Sequence, residues 1–385
     1  MSSIAPAKRA AITSWFEENF RARGELGASV SIWIDGVEVL SLNQGFCDRA
    51  RTRPWTVDTL VPIWSATKGP AAVSCLLALS EGVLDLNCPV AQVWPEFAGG
   101  GKQDIRLSHI LSHTAGLCAL DEPASILDYE EVIDALEQQR PLWEPGSRQG
   151  YHARTFGFLV DEIVRRVAGA DSLGTYFREM IGAPLDLDLW IGLPQEQWGR
   201  VSPVYPGKIN PANQDQPFLK AFNTPGSLTR RTFTSPVGLN AVSDVNQPDL
   251  WARGLASMGG VASAHGLGKF YAVLAQNGQW GGEQIVSNHL VRQLSYALSQ
   301  EDDAVLCTPI AFAAGVMQDP LDPARKKLRS HFGSSLTAFG HPGAGGSLAF
   351  ADPENGIAFA YVMNQMEVGA LPSEKAIGLV ERLYE

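Results

Sequence analysis

Ser65-Ala66-Thr67-Lys68 places a hydroxyl three residues before an amine. On a helix these positions share a face, so the two groups can meet. Each is inert alone: a serine hydroxyl is hardly nucleophilic, and a solvated lysine stays protonated near neutral pH. Burial lowers the amine's pKa and lets it accept the serine proton. Of the nine lysines in the chain only Lys68 follows a serine at this spacing, yet one such match is a common coincidence. Partners are needed before it counts as a site.

Two segments supply candidates. Pro145-Gly146-Ser147-Arg148-Gln149-Gly150-Tyr151-His152-Ala153 is a turn that leads through a tyrosine into a helix expected from Phe156. Such a tyrosine is either a half-buried core residue or, beside a lysine cation, a proton relay. His152 next to it lines the mouth of a site or faces solvent. The second segment is Phe339-Gly340-His341-Pro342-Gly343-Ala344-Gly345-Gly346-Ser347. Proline inside a strand-like run predicts an edge, since it cannot donate to a central ladder. There a ligand carbonyl could sit between the amides of Ala344 and Ser65, forming an oxyanion hole.

Around these residues the chain alternates strand and helix. Pro6 to Arg23 reads as an amphipathic helix; Ala28–Ile34 and Val37–Leu42 flank Asp35-Gly36, a strong hairpin signal. Ser65 opens an apolar helix that stops near Gly82. Helices are expected at 107–112, 129–138, 156–168, 264–276, 287–296 and 373–383. Strands are expected at 312–317, 337–340, 347–351 and 357–364. Residues 202–248, rich in proline, asparagine, threonine and glycine, read as irregular: a lid, or a surface excursion. The economical architecture is α+β. One mostly antiparallel sheet is built from both chain ends (1–84 and 250–385), and an inserted, mainly helical lobe spans 85–249.

Composition narrows the function classes. The 385 residues are 45% hydrophobic and 18% charged, with a net charge of −11 that repels phosphate backbones, so no nucleic-acid partner is expected. Arg325-Lys326-Lys327 with Arg329 is too short a basic cluster to reverse this. No apolar run is long enough for a membrane span or signal peptide. The five cysteines lack metal spacing, so reduced thiols in a cytoplasmic protein are expected.

Other patterns are decoys. His109 and His113 stand at i and i+4, but Ile110 replaces the metalloprotease glutamate and no third ligand is placed, so no metal or other cofactor is expected. His113 reads instead as a structural histidine capping backbone near Gly116. Ser243-Asp244-Val245 reads as a turn or helix cap, Gly99-Gly100-Gly101-Lys102 as a flexible turn, and a Gly-x-Ser-x-Gly elbow is absent.

Taken in order, Ser65-x-x-Lys68, Tyr151-x-Ala153 and His341-Pro342-Gly343 resemble the three motifs of serine β-lactamase-like and penicillin-binding-protein-fold enzymes. Leu111-Ser112-His113-Thr114-Ala115-Gly116-Leu117, Glu144-Pro145-Gly146 and Met258–Ser263 extend the likeness over nearly the whole chain. Within that superfamily the chain is most similar to family VIII carboxylesterases. The resemblance implies Ser65 as nucleophile, Lys68 and Tyr151 sharing the proton traffic, and the Ser65 and Ala344 amides as oxyanion hole. It also implies His341 in the first place of the third motif, with Gly343, His152 and Ala153 near the substrate. Two departures bear on substrate: Ala153 stands where β-lactamases carry asparagine, and Lys-Thr-Gly is missing. Both weaken the case for β-lactams and leave acyl transfer intact. The expected activity is hydrolysis of short-chain carboxylic esters, a small-molecule ester being the partner. A β-lactamase, D-amino acid peptidase or acyltransferase is the alternative, and a non-catalytic binding relative a third.

Overall fold

The computed structural model describes residues 3–208 and 216–385. Its largest element is an eight-stranded antiparallel sheet in the order β2-β1-β13-β12-β11-β10-β9-β8. The strands are β1 (Gly27–Ile34), β2 (Val37–Gly45), β8 (Ser299–Asp302), β9 (Pro309–Phe312), β10 (Met317–Gln318), β11 (Phe339–Pro342), β12 (Leu348–Asp352) and β13 (Ile357–Met363). β1 and β2 turn at Asp35-Gly36, whose φ of +50° and +74° are what a tight hairpin turn requires. β1 then pairs with β13, Ala28 opposite Met363, so the two chain ends share one sheet. The chain thus has the α+β, β-lactamase/transpeptidase-like fold that its motifs imply.

A small second sheet joins β3 (Val61–Pro62), β5 (Gly260–Ala262) and β4 (Leu189–Ile191). A two-residue ladder pairs β6 (Gln279–Trp280) with β7 (Glu283–Gln284). Helix Lys68–Glu81 is buried along almost its whole length, as its run of alanine, valine and leucine dictates, and packs on helix Thr155–Ala168. Helix Ala264–Ala275 lies on β1, β12 and β13. No helix among the described residues is long and apolar enough to cross a membrane.

Three readings need correction. The run 312–317 is a turn between two strands, the end of β9 and the start of β10, where Gly315 takes φ +82°; a side chain there would meet Ala72. β11 is not an edge strand. It lies inside the sheet, and Pro342 is tolerated because β10 meets β11 only at Met317 opposite Gly340. Beyond that pair β11 has a free side, a local edge within an interior strand. Third, the segment 202–248 holds helices Pro217–Asn223 and Leu228–Thr234. Pro217 starts the first, and the Ser227 hydroxyl caps the second by accepting the Arg230 N–H at 3.1 Å. Residues 209–215 of that segment lie outside the described residues.

Candidate active site

Strand β3 delivers the chain into a short 3-10 turn, Trp64–Thr67, from which helix Lys68–Glu81 continues. Trp64 has φ +51°, unfavourable for a bulky residue, immediately before Ser65. The Thr67 hydroxyl holds this turn by donating to the Trp64 carbonyl at 2.5 Å and accepting the Gly260 N–H at 2.9 Å. Ser65 is left half-buried, while Lys68 is wholly buried.

The Lys68 amine donates to the carbonyls of Ala153 at 2.8 Å and Ser257 at 2.9 Å, and stands 3.5 Å from the Ser65 hydroxyl. Burial pushes its pKa well below the ordinary lysine value. A neutral amine has two hydrogens and one lone pair. In that form the two carbonyls would take the hydrogens and leave the lone pair for Ser65.

The Tyr151 hydroxyl interacts with Ser65, and its ring centroid lies 4.8 Å from Lys68 Nζ. Phe312 stacks parallel to the ring at 6.0 Å, with His113 at 5.0 Å and His341 at 5.9 Å around it. Burial raises its pKa, and so does the charge of Asp303, so the side chain stands as a phenol.

His341 is 1% exposed, and its Nδ1 lies 2.7 Å from the Pro342 carbonyl, which requires the proton on Nδ1. Burial above all pushes its pKa down to about 3, and a Lys68 ammonium would add to this, so the imidazole is neutral. Gly343 brings the end of β11 against the nucleophile's turn: a Cβ there would stand 2.2 Å from the Ile63 carbonyl. The next residue is Ala344. Among the described residues neither the Ala344 nor the Ser65 amide donates to a protein acceptor, leaving both free for a ligand oxygen.

The structure therefore brings Ser65, Lys68, Tyr151, His341, Gly343 and Ala344 together. Ala153 contributes its carbonyl rather than its side chain. His152 is the correction: it is buried, away from both mouth and solvent, with Nε2 accepting the Leu117 N–H at 3.0 Å and Nδ1 2.7 Å from the Gly150 carbonyl. Burial pushes its pKa down to about 4, and it locks the turn before Tyr151. His113 is the structural histidine expected, capping backbone, but at His152 and not beside Gly116: its Nδ1 accepts the His152 N–H at 3.0 Å. Among the described residues no cluster of side chains could hold a metal ion. Asp244 does cap a turn, accepting the Asn240 and Ala241 N–H groups. Two groups carried no motif signal: the Ser257 carbonyl, a backbone atom, and Asp303.

A fold and a serine–lysine–tyrosine site of this kind define a serine hydrolase, and the chain belongs to the beta-lactamase family, whose model matches residues 14–381. Among curated relatives it is 30% identical to "Esterase/beta-lactamase LipL" of Mycobacterium tuberculosis over 94% of this chain and 82% of that protein. A solved family VIII carboxylesterase superposes with a TM-score of 0.86 at 31% identity, covering 99% of this chain and 98% of the other. A penicillin-binding protein homologue from Caulobacter crescentus gives 0.84 at 34% identity, covering 99% and 98%.

Proposed function

We propose that the protein is a carboxylesterase that cleaves short-chain carboxylic esters through an acyl-enzyme on Ser65. The observation that carries this reading is the buried Lys68 amine, held by the Ala153 and Ser257 carbonyls 3.5 Å from Ser65 Oγ, its pKa lowered by burial so that it can act as a base. As Oγ attacks the ester carbonyl, its proton passes to Lys68, and the carbonyl oxygen takes the charge between the Ser65 and Ala344 amides. Collapse expels the alkoxide, which receives a proton from the Tyr151 hydroxyl; the Lys68 ammonium replaces that proton. Water then attacks the acyl-enzyme by the same route in reverse.

The preference for esters rests on what the site lacks. The usual cation of the third motif would attract a substrate carboxylate, and here a buried, neutral His341 stands in its place. Ala153 offers no side-chain amide to hold a β-lactam amide. The named activities of the relatives, esterase for one and esterase/beta-lactamase for another, agree with acyl transfer to water.

The experiment compares p-nitrophenyl butyrate with a chromogenic cephalosporin, and parent with Ser65→Ala. We expect turnover of the ester to dominate, a phosphonate adduct on Ser65 by mass spectrometry, and no ester hydrolysis above background in the variant. Faster cephalosporin turnover would overturn the substrate reading, and an active Ser65→Ala protein would overturn the nucleophile.

A further inference from the structure

Asp303 follows β8 in a turn that closes on Thr308, and it is 1% exposed. Its Oδ1 accepts N–H bonds from Tyr151 at 3.2 Å, Val305 at 2.9 Å and Leu306 at 2.8 Å. Its Oδ2 accepts the side-chain amide of Gln149 at 3.3 Å. Gln149 also donates to the Ile310 carbonyl at 3.2 Å and accepts from Ser299 Oγ at 2.7 Å, anchoring the cluster to β8 and β9. Among the described residues no cation pairs with the carboxylate; amide dipoles alone hold it. A buried polar network is costly to assemble, and one that is fully satisfied fixes a single geometry.

Tyr151 needs such an anchor because it lies in neither helix nor strand. Its own N–H goes to Asp303, while its neighbours hang on His113: the Gly150 N–H donates to the His113 carbonyl and the His152 N–H to its Nδ1, both at 3.0 Å. We infer that Asp303 is a positioning residue for acyl transfer: by gathering the amides of Tyr151, Val305 and Leu306 it sets where the phenol stands against Ser65 and Lys68. This rests on the roles proposed above for Ser65, Lys68 and Tyr151. The groups facing the phenol are Lys68 and the imidazoles of His113 and His341; burial raises the pKa of Asp303, against its four amide donors, and its ionised form opposes loss of the phenol proton. Cys118 also feels that charge from outside the site. The division of labour follows: Lys68 takes the proton, and Tyr151 gives one.

The test is a double-mutant cycle on p-nitrophenyl butyrate with Asp303→Asn and Tyr151→Phe, folding being checked by thermal melting. In Asp303→Asn the oxygen can still receive the three amides, but the charge is gone and the new NH2 opposes the Gln149 amide. We expect kcat to fall about 10²-fold with KM little changed, the cost of a small misplacement. In the Tyr151→Phe background the same substitution is expected to change kcat by less than about threefold, because the group it positions is absent. Equal losses in both backgrounds, or a kcat within about threefold of the parent in Asp303→Asn, would overturn the inference. Gln149→Met removes one support of the carboxylate and repeats the cycle should Asp303→Asn not fold. Phosphonate labelling of Ser65 in the parent tests the underlying site separately: a labelled Ser65 with additive losses refutes only the role of Asp303.

Discussion

Replacing Lys68 with methionine separates its chemical work from its structural cost. Burial holds the pKa of the amine well below its unfolded value near 10.4, and below that pH the shift costs the native state stability. Lys68→Met removes that cost. It also leaves the Ala153 and Ser257 carbonyls without donors, at about 1–3 kcal/mol each. The two effects oppose each other, so the variant is expected to lose less stability at pH 7 than the two unpaired carbonyls alone would cost, read as a shift in melting temperature. The sign with pH follows from proton counts. Below about pH 10.4 the unfolded chain binds the lysine proton and the native state does not, so the parent gains stability as pH rises toward that value. The variant lacks this component, and the difference between the two melting curves isolates it. Activity is expected to fall about 10⁴-fold, some 5 kcal/mol of barrier, because no other base faces Ser65. Ester hydrolysis and melting, both followed from pH 6 to pH 10, give the two readings. A variant destabilised by more than about 5 kcal/mol across that range, or one retaining more than about 1% of kcat, would refute a neutral lysine base.

Gly343→Ala is expected to lower kcat about 10²–10³-fold with a smaller change in KM, since a Cβ 2.2 Å from the Ile63 carbonyl must push the Ala344 amide out of line. Steady-state kinetics with normal melting checks it, and unchanged kcat would remove Ala344 from the oxyanion hole. His341 and His152, pushed down to about 3 and about 4, stay neutral above pH 5, and His113 also lies well below its ordinary value. The rate profile of kcat/KM is therefore expected to show no step from these histidines between pH 5 and 8, and His341→Gln should leave its shape unchanged. A step lost on that substitution would show a titrating imidazole at the site.

Chemistry carried by side chains in short motifs was legible from the chain alone. Ser65, Lys68, Tyr151 and the His341 strand announce themselves by residue type and spacing, and the Asp35-Gly36 turn by backbone demands that few residues meet. The missing parts belong to other classes of signal. The Ser257 carbonyl is a backbone atom with no residue type to mark it. Asp303 is one acid among the 41 acidic residues, and only the folding of β8 and β9 beside the tyrosine turn gives it meaning. His152 is polar, so solvent or a site mouth looks natural; a network of neighbouring amides satisfies it inside the core instead. Pro342 suggests an edge by a rule about whole strands, whereas only the short length of β10 frees that side of β11.

The pairing of β1 with β13 bears on how the enzyme comes into being. Ala28 cannot meet Met363, nor Ser65 meet Ala344, until almost the whole chain has left the ribosome. Contacts so distant along the sequence are slow to form. Until then one side of β1, an apolar strand, has no ladder partner and is prone to stray pairing. The approach of Ala344 to Ser65 is then among the last things to be built, so hydrolase activity reports that synthesis and folding have both run to completion.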